Sequence, residues 1–411
     1  MTATNSRPGE RTQELVDGFY RRAESLVPLL RQHALESERR REVASEVIDA
    51  AEQADLLRLM VPVSWGGFGL GVRPLAQIAR ILTHGDLSGA WVIGFLIEHN
   101  WMLARFPDGT QDEIFGRFGV VRAAASLQMQ GTARPTRAGW ILDGTWRYCS
   151  GMPNSEWVLV TAGVEDPEGI VPRTFLVPRG DVTVNDDWFM SGLCASGSVS
   201  VSGRDLFVPE HRSLATRDFH STVGHPGARH DDPIMRYPAV NTLAVMMSGF
   251  AVGAAERCVE LLRERLHEHR VYGTVRLDFE SARARWAEAR HLTRVARGIF
   301  EDLIARVERK GDAIEGWTET DDGEFAYDRI VVARTALEVA RLVADGAGSS
   351  AFELGNPIQR YLRDVQVMAN HVGTDWDSNI DRSARLQLGL GFAPSDPPHL
   401  TLSRTATGGS R

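Results

Sequence analysis

The stretch RYLRDVQVMANHVGTDWD, residues 360–377, governs how the rest of the chain is read. Arg363, Asp364, Val367, Met368 and His371 recur at spacings of one, three and four, so a helix lines Val367, Met368 and His371 along one stripe. A histidine on an apolar stripe is either a hydrogen-bonded core residue or a working group. The remainder of the sequence decides between them.

Composition narrows the setting. The chain has 411 residues, 43% hydrophobic and 24% charged, which is ordinary for a globular protein with two or three sizeable cores. Its formal net charge is -8, and its basic residues, Lys310 the only lysine among them, are scattered rather than clustered, so no nucleic-acid partner is expected. Cys149, Cys194 and Cys258 form no CxxC pair and no even disulfide framework, which favours a reducing compartment and places the chain in the cytoplasm. The N-terminus lacks a basic and apolar signal pattern, and no run approaches the ~18 apolar residues of a membrane span. MTATNSRPGERTQ and SRTATGGSR read as frayed tails.

Three zones succeed one another. Residues 12–118 show helical periodicity, interrupted by MVPVSWGGFGLGV, whose glycines make a turn between helices because no strand precedes them and no βαβ unit comes after. Between residues 121 and 212 the period becomes that of strands, in GWILDGTWRYCSG, EWVLVTAGV, TFLVPRGDVTV and SVSVSGRDLFVP, as in a small antiparallel barrel or sandwich. Residues 211–236, rich in His, Asp, Gly and Pro, read as a long loop. Helical periodicity then returns over residues 237–269, 278–309, 324–345 and 357–371, enough for a four-helix bundle. Such segregation argues α+β, with an N-terminal α-helical domain (1–120), a middle β-barrel domain with its long loop (121–235), and a C-terminal helical bundle and tail (236–411).

That order, with ADLLRLMVPVSWGGFGLG, DLSGAW, FLVPR, LFVPEHR and AFELGNPIQRYLRDVQ in sequence, resembles the acyl-CoA dehydrogenase superfold over nearly the whole chain. The resemblance implies a flavin site between barrel and bundle, and a homotetramer built through the bundle. In the dehydrogenases the arginine–aspartate pair is commonly followed by Tyr-Glu-Gly-Thr, whose glutamate removes the substrate's α-proton. Here the same register from Arg363 gives His371, Val372, Gly373 and Thr374. Valine accepts no proton, so that chemistry has lost its base.

A histidine beside the vacated position is similar instead to the two-component flavin-dependent monooxygenases of this fold, such as 4-hydroxyphenylacetate and steroid-phenol hydroxylases. Trp91 and His99 match an aromatic residue and a histidine eight apart in those enzymes, and Ser150 in WRYCSG matches their active-site serine. The resemblance implies an oxygenase component that takes reduced FMN or reduced FAD from a separate NAD(P)H-flavin reductase. With molecular oxygen as co-substrate, it would hydroxylate a small phenolic or polycyclic aromatic substrate through a flavin C4a-hydroperoxide. N- or S-oxygenation, or acyl-CoA oxidation, are the alternatives on the same scaffold. His371 is the expected base, because an imidazole with a pKa near ~6.5 takes a phenolic proton at neutral pH. His99 orients the substrate or shares the proton, and Ser150 supplies a hydroxyl at the ring edge. Taken alone, each has a plainer reading: His371 and His99 as core histidines, Ser150 as a turn former beside Gly151 and Pro153, Trp91 as packing.

For the flavin, the resemblance implies contacts at Trp91 and Ser150, at Ser126 in AAASLQ and at Ser349 and Ser350 in DGAGSSAF, with Arg270 in HEHRVYG approximating a phosphate-binding arginine. The register there is loose, and His269 or Arg265 fit almost as well. An arginine suits the role because its planar fork binds phosphate bidentately. No HExxH, P-loop or GxSxG pattern occurs, and His267 and His269 fall on different faces of a helix, so no metal is expected.

Overall fold

The computed structural model describes residues 8–167, 169–230, 232–313 and 317–393. The C-terminal stretch read as a tail lies outside these residues. The N-terminal one lies partly so, since helix α1 (Pro8–Arg40) starts inside it. Helices α2 (Ser45–Gln53), α3 (Val72–Thr83), α4 (Leu87–Leu103) and the short α5 (Asp108–Gln111) complete the first zone. Between α2 and α3 the glycine-rich segment is a turn: a Cβ on Gly67 would lie 2.0 Å from the Val61 carbonyl oxygen, a contact only glycine allows. Helix α4, capped by the Asp86 carboxylate on the Gly89 N–H, is buried along all its residues. A helix apolar all round needs cover on every side.

The middle zone is one seven-stranded sheet: β1 (Ala123–Pro135), β2 (Gly139–Trp146), β3 (Trp157–Asp166), β4 (Gly169–Pro178), β5 (Thr183–Val184), β6 (Val201–Pro209) and β7 (Ser213–Ala215), in the order β5-β6-β2-β1-β3-β4-β7. The expected antiparallel barrel is therefore corrected to an open mixed sheet. Strand β1 pairs antiparallel with β2 but parallel with β3, with register shifts after Ser126 and Met129. Alternating burial reveals a strand but not its neighbour; here the segment after β2 crosses back so that β3 flanks β1 on its other edge. Val158, Val160, Trp146 and Phe175 give this sheet a small core of its own.

Residues 211–236 are not the long loop expected. They fold into β7, helix α6 (Thr216–His220) and two 3₁₀ turns. The fully buried Arg105 organises them, donating to the carbonyl oxygens of Phe219, Ser221 and Tyr237. One buried guanidinium thus satisfies three backbone acceptors that no strand ladder reaches.

Among the described residues five helices come next rather than four: α7 (Ala239–Glu268), α8 (Glu280–Ala313), α9 (Glu319–Ala347), α10 (Pro357–Ala369) and α11 (Trp376–Gln387), with a small hairpin of β8 (Arg270–Val271) and β9 (Thr274–Val275) after α7. Helix α11 escaped the periodicity because it buries Asn379, Arg382 and Ser383 as well as Leu386. Helix α7 is long and apolar enough to cross a membrane, but α3, α8 and α9 pack around it as the centre of the bundle.

The arginine–aspartate pair of α10 is an anchor. Arg363 lies 2.6 Å from Glu38 of α1, Arg360 lies 3.5 Å from Asp86, and Asp364 accepts from the Leu193 N–H at 2.7 Å. Burial, and then the nearby Asp86 charge, push Asp364 up to about 7. Gly192 lets its loop close on α10, since a Cβ there would stand 2.1 Å from the Arg363 carbonyl oxygen. These contacts hold the C-terminal end of α10 in place, and the candidate site is built on the turn just beyond it.

Candidate active site

Helix α10 stops at Ala369, two residues before His371, so His371 does not extend the helical stripe. It sits in the tight turn beyond, where its carbonyl oxygen accepts from the Thr374 and Asp375 N–H groups, and Asn379 of α11 donates to the Val372 carbonyl. From this turn the His371 ring meets Trp91 of α4 edge to face, 5.6 Å between centroids. Trp91 donates its indole N–H to Ser150 Oγ at 3.2 Å, and Ser150 continues to Ser198 (2.8 Å) and Ser196 (2.7 Å). Phe95 and Phe250 flank Trp91 at 5.0 and 5.4 Å, and His99 lies 5.4 Å from Phe95. Three separated parts of the sequence therefore meet around one indole.

Backbone partners decide which ring nitrogen of each histidine carries a proton. His99 Nδ1 lies 2.6 Å from the Ala123 carbonyl oxygen, which can only accept, so Nδ1 holds the hydrogen and Nε2 keeps a lone pair. His371 Nδ1 accepts from the Gly373 N–H at 3.1 Å, so in the neutral ring Nε2 holds the hydrogen. The expected division of labour is reversed: in this arrangement His99 offers the acceptor and His371 the donor. Burial lowers both histidines to about 4, with the Arg329 charge adding to the effect on His371. Both are neutral at pH 7, and His371 is not poised near its ordinary value as its place in the sequence suggests.

The His99 shift has a stability consequence. In the unfolded chain a histidine charges near ~6.5, whereas buried His99 resists protonation down to about 4. Between those pH values the unfolded state binds the extra proton, so stability falls as pH falls, at about 1.4 kcal/mol per unit and about 3 kcal/mol in all. Urea unfolding of wild type and His99→Gln at pH 7 and pH 4 should show the wild type losing about 3 kcal/mol more than the variant. Equal losses would refute the shifted titration.

The family relations agree with this layout. The model for the acyl-CoA dehydrogenase C-terminal domain matches residues 245–376. A pigment production hydroxylase of Rhodococcus sp. is 28% identical, with 93% of this chain and 98% of that protein covered. The oxygenase component of an FADH(2)-dependent resorcinol hydroxylase of Rhizobium sp. is 26% identical, covering 90% and 93%. Among solved structures, XiaF from Streptomyces sp., in complex with FADH2 and glycerol, superposes with a TM-score of 0.85 at 25% identity, covering 94% of this chain and 98% of that one. The chain has the acyl-CoA dehydrogenase-like fold and is similar over nearly its whole length to flavin-dependent monooxygenases of that fold.

Those relatives use a flavin, and cationic side chains gather where the resemblance puts its phosphates. Arg265 donates to the Ala347 carbonyl at 2.7 Å and to Ser350 Oγ. A Cβ on Gly348, whose φ is +82°, would stand 3.1 Å from the Arg276 guanidinium, and one on Gly346 would stand 2.8 Å from Arg285. Burial first, then the charges of Arg265 and Arg285, lower Arg276, and its Nε is buried without a hydrogen-bond partner. Cations crowded around a glycine turn make an anion cradle. Arg270, the expected phosphate-binding arginine, donates to the Gly273 carbonyl within the exposed β8–β9 hairpin, whereas Arg265 and Arg276 face the glycine turn. Ser349 opens the 3₁₀ turn beside Ser350. Ser126 donates to the Arg147 carbonyl at 2.7 Å, tying β1 to the segment that carries Ser150.

Sequence reading missed Phe95, Phe250, Ser198 and Arg276. Phe95, four residues from both Trp91 and His99, was accessible to helical spacing. The others join the site only through tertiary packing.

Proposed function

We propose that this protein is the oxygenase component of a two-component flavin-dependent monooxygenase that hydroxylates a phenolic or polycyclic aromatic compound. Reduced FMN or FAD, supplied by a separate NAD(P)H-flavin reductase, activates molecular oxygen and furnishes the oxygen atom when bound. The observation that carries the reading is the pairing of a lone-pair imidazole with an N–H imidazole around an aromatic wall. A phenol needs both: His99 Nε2 accepts its proton, and His371 Nε2–H steadies an oxygen as charge builds on it. Trp91, Phe95 and Phe250 present ring faces and edges to an aromatic substrate. Ser150 accepts from Trp91 and joins the Ser198 and Ser196 hydroxyls, which keeps the indole in one orientation. Val372, half exposed and without an acceptor, leaves a dehydrogenase no base at that position.

The working protein is a homotetramer in this reading. Exposed Tyr272 and Phe279 beside the α7–α8 connection, and Phe352 and Leu354 after α9, are the apolar surface that copies would cover.

The test is turnover. Purified protein with flavin, oxygen and NADH should show no catalytic NADH oxidation, and hydroxylation of a phenol should begin when a flavin reductase is added. Catalytic NADH oxidation by the protein alone, or bleaching of its oxidised flavin by acyl-CoA esters without oxygen, would overturn the proposal.

A further inference from the structure

Deeper along α4 than the Trp91–His371 contact, a carboxylic acid is buried with nothing to hold it. Glu98 is 0% exposed, and neither of its oxygens has a hydrogen-bond partner among the described residues. Thr242 of α7 is also 0% exposed, and its Oγ1 is equally unpartnered. Burial alone raises Glu98 well above the usual carboxylate range, which favours its neutral, hydrogen-donating form.

Helical spacing places the two together. Glu98 follows Trp91 by seven residues, which returns it to the stripe of Trp91 and Phe95. Gly94, one turn earlier, is where α4 meets α7 most closely: a Cβ there would lie 2.6 Å from Phe250 and 3.1 Å from Met246. The Trp101 indole N–H reaches the Ile234 carbonyl, just before α7 begins, so the two helices run antiparallel. Glu98 is therefore one turn past Gly94, and Thr242 one turn before Met246, on facing stripes.

We propose that Glu98 and Thr242 form the inner polar end of the substrate pocket and take a hydroxyl group on the aromatic substrate, at the end remote from the ring position that is oxygenated. This rests on the monooxygenase reading. A buried acid without a hydrogen bond carries an uncompensated desolvation cost, and a ligand that pairs with it recovers that loss. A protonated carboxyl gives one O–H and accepts through its carbonyl, and Thr242 adds a hydroxyl, so a neutral group able to donate and accept fits, whereas an ammonium or carboxylate does not. Seven residues of helix rise about 10 Å, and side chains lean back toward the helix N-terminus. The span from Trp91 to Glu98 thus suits two fused rings better than one.

The probes are naphthalene-2,6-diol and 6-methylnaphthalen-2-ol, which differ only in the remote hydroxyl. Calorimetric titration of the wild-type protein should show the diol binding about 10-fold tighter, the equivalent of one good hydrogen bond. Glu98→Leu should abolish the preference by weakening the diol alone, and Glu98→Gln should keep part of it. Thr242→Val, nearly isosteric, should reduce it if Glu98→Leu fails to fold. In turnover with reduced flavin and oxygen, the variants should raise KM for the diol with little change in kcat. Equal binding of the two probes by wild type, no measurable binding of the diol, or a preference that survives in Glu98→Leu would each overturn the assignment. Failure of wild type to oxygenate either probe would strike the monooxygenase reading instead, because the binding preference is measured without turnover.

Discussion

Leucine at position 99 is expected to slow product formation by about 10²–10⁴-fold, the usual contribution of a positioned general base. The Ala123 carbonyl commits His99 Nδ1 as a donor and leaves its Nε2 lone pair free. Without that lone pair a phenolic substrate keeps its proton and is a poor nucleophile, so reducing equivalents should be lost as hydrogen peroxide while hydroxylated product falls. Raising the pH toward the phenol's pKa of about 10 should restore much of the rate, because solvent then makes the phenolate. His371→Leu should also uncouple the reaction, but without rescue at high pH, since it removes a donor rather than an acceptor. Glutamine at 371, which keeps an N–H, should retain more coupling than leucine. Product and peroxide followed from pH 6.5 to 10 separate the two roles. Rescue in the His371 variant but not in the His99 variant would show that the tautomers do not set the chemistry.

Arg360→Met should destabilise the protein by about 3–5 kcal/mol, the cost of removing one partner from a buried ion network. Arg360 lies between Asp86 at 3.5 Å and Glu38 at 3.9 Å, with Asp364 on the same helix. Without it the buried Asp86 and Asp364 carboxyls lose the cation between them and raise each other further. Urea denaturation measures the loss, and adding Asp86→Ala should return part of it by removing one of the stranded charges. A loss below about 1 kcal/mol would mean that the network is solvated well enough not to need its arginine. The turn bearing His371 begins just beyond α10, so coupling should fall as the helix end loosens.

The order of helices, strands and helices was legible because burial imposes different periods on the two kinds of element, and Trp91, Ser150, His99 and His371 were legible through motif resemblance. The features that escaped have identifiable causes. The parallel β1–β3 pairing depends on a crossover that leaves no alternation signal, and α11 hides behind its buried polar residues. The histidine tautomers depend on the Ala123 carbonyl and the Gly373 N–H, backbone atoms that carry no sequence signature. That Arg270 turns outward in a hairpin while Arg276 faces the glycine turn is something spacing along the chain does not record.

Helix α4, buried around its whole circumference, also bears on how the protein is made. Its covers include Phe250 and Met246 of α7 and the turn holding His371, all encoded far downstream. At about 5–20 residues per second, the ribosome needs roughly 15–60 s to travel from codon 91 to codon 371. For that interval the nascent chain carries a hydrophobic helix covered by α3 and the other upstream helices on one side, with its remaining covers still to be made. Cells producing this protein should therefore depend on a holding chaperone during synthesis, and ribosome-bound chains that stop before residue 239 should be the ones it captures most strongly.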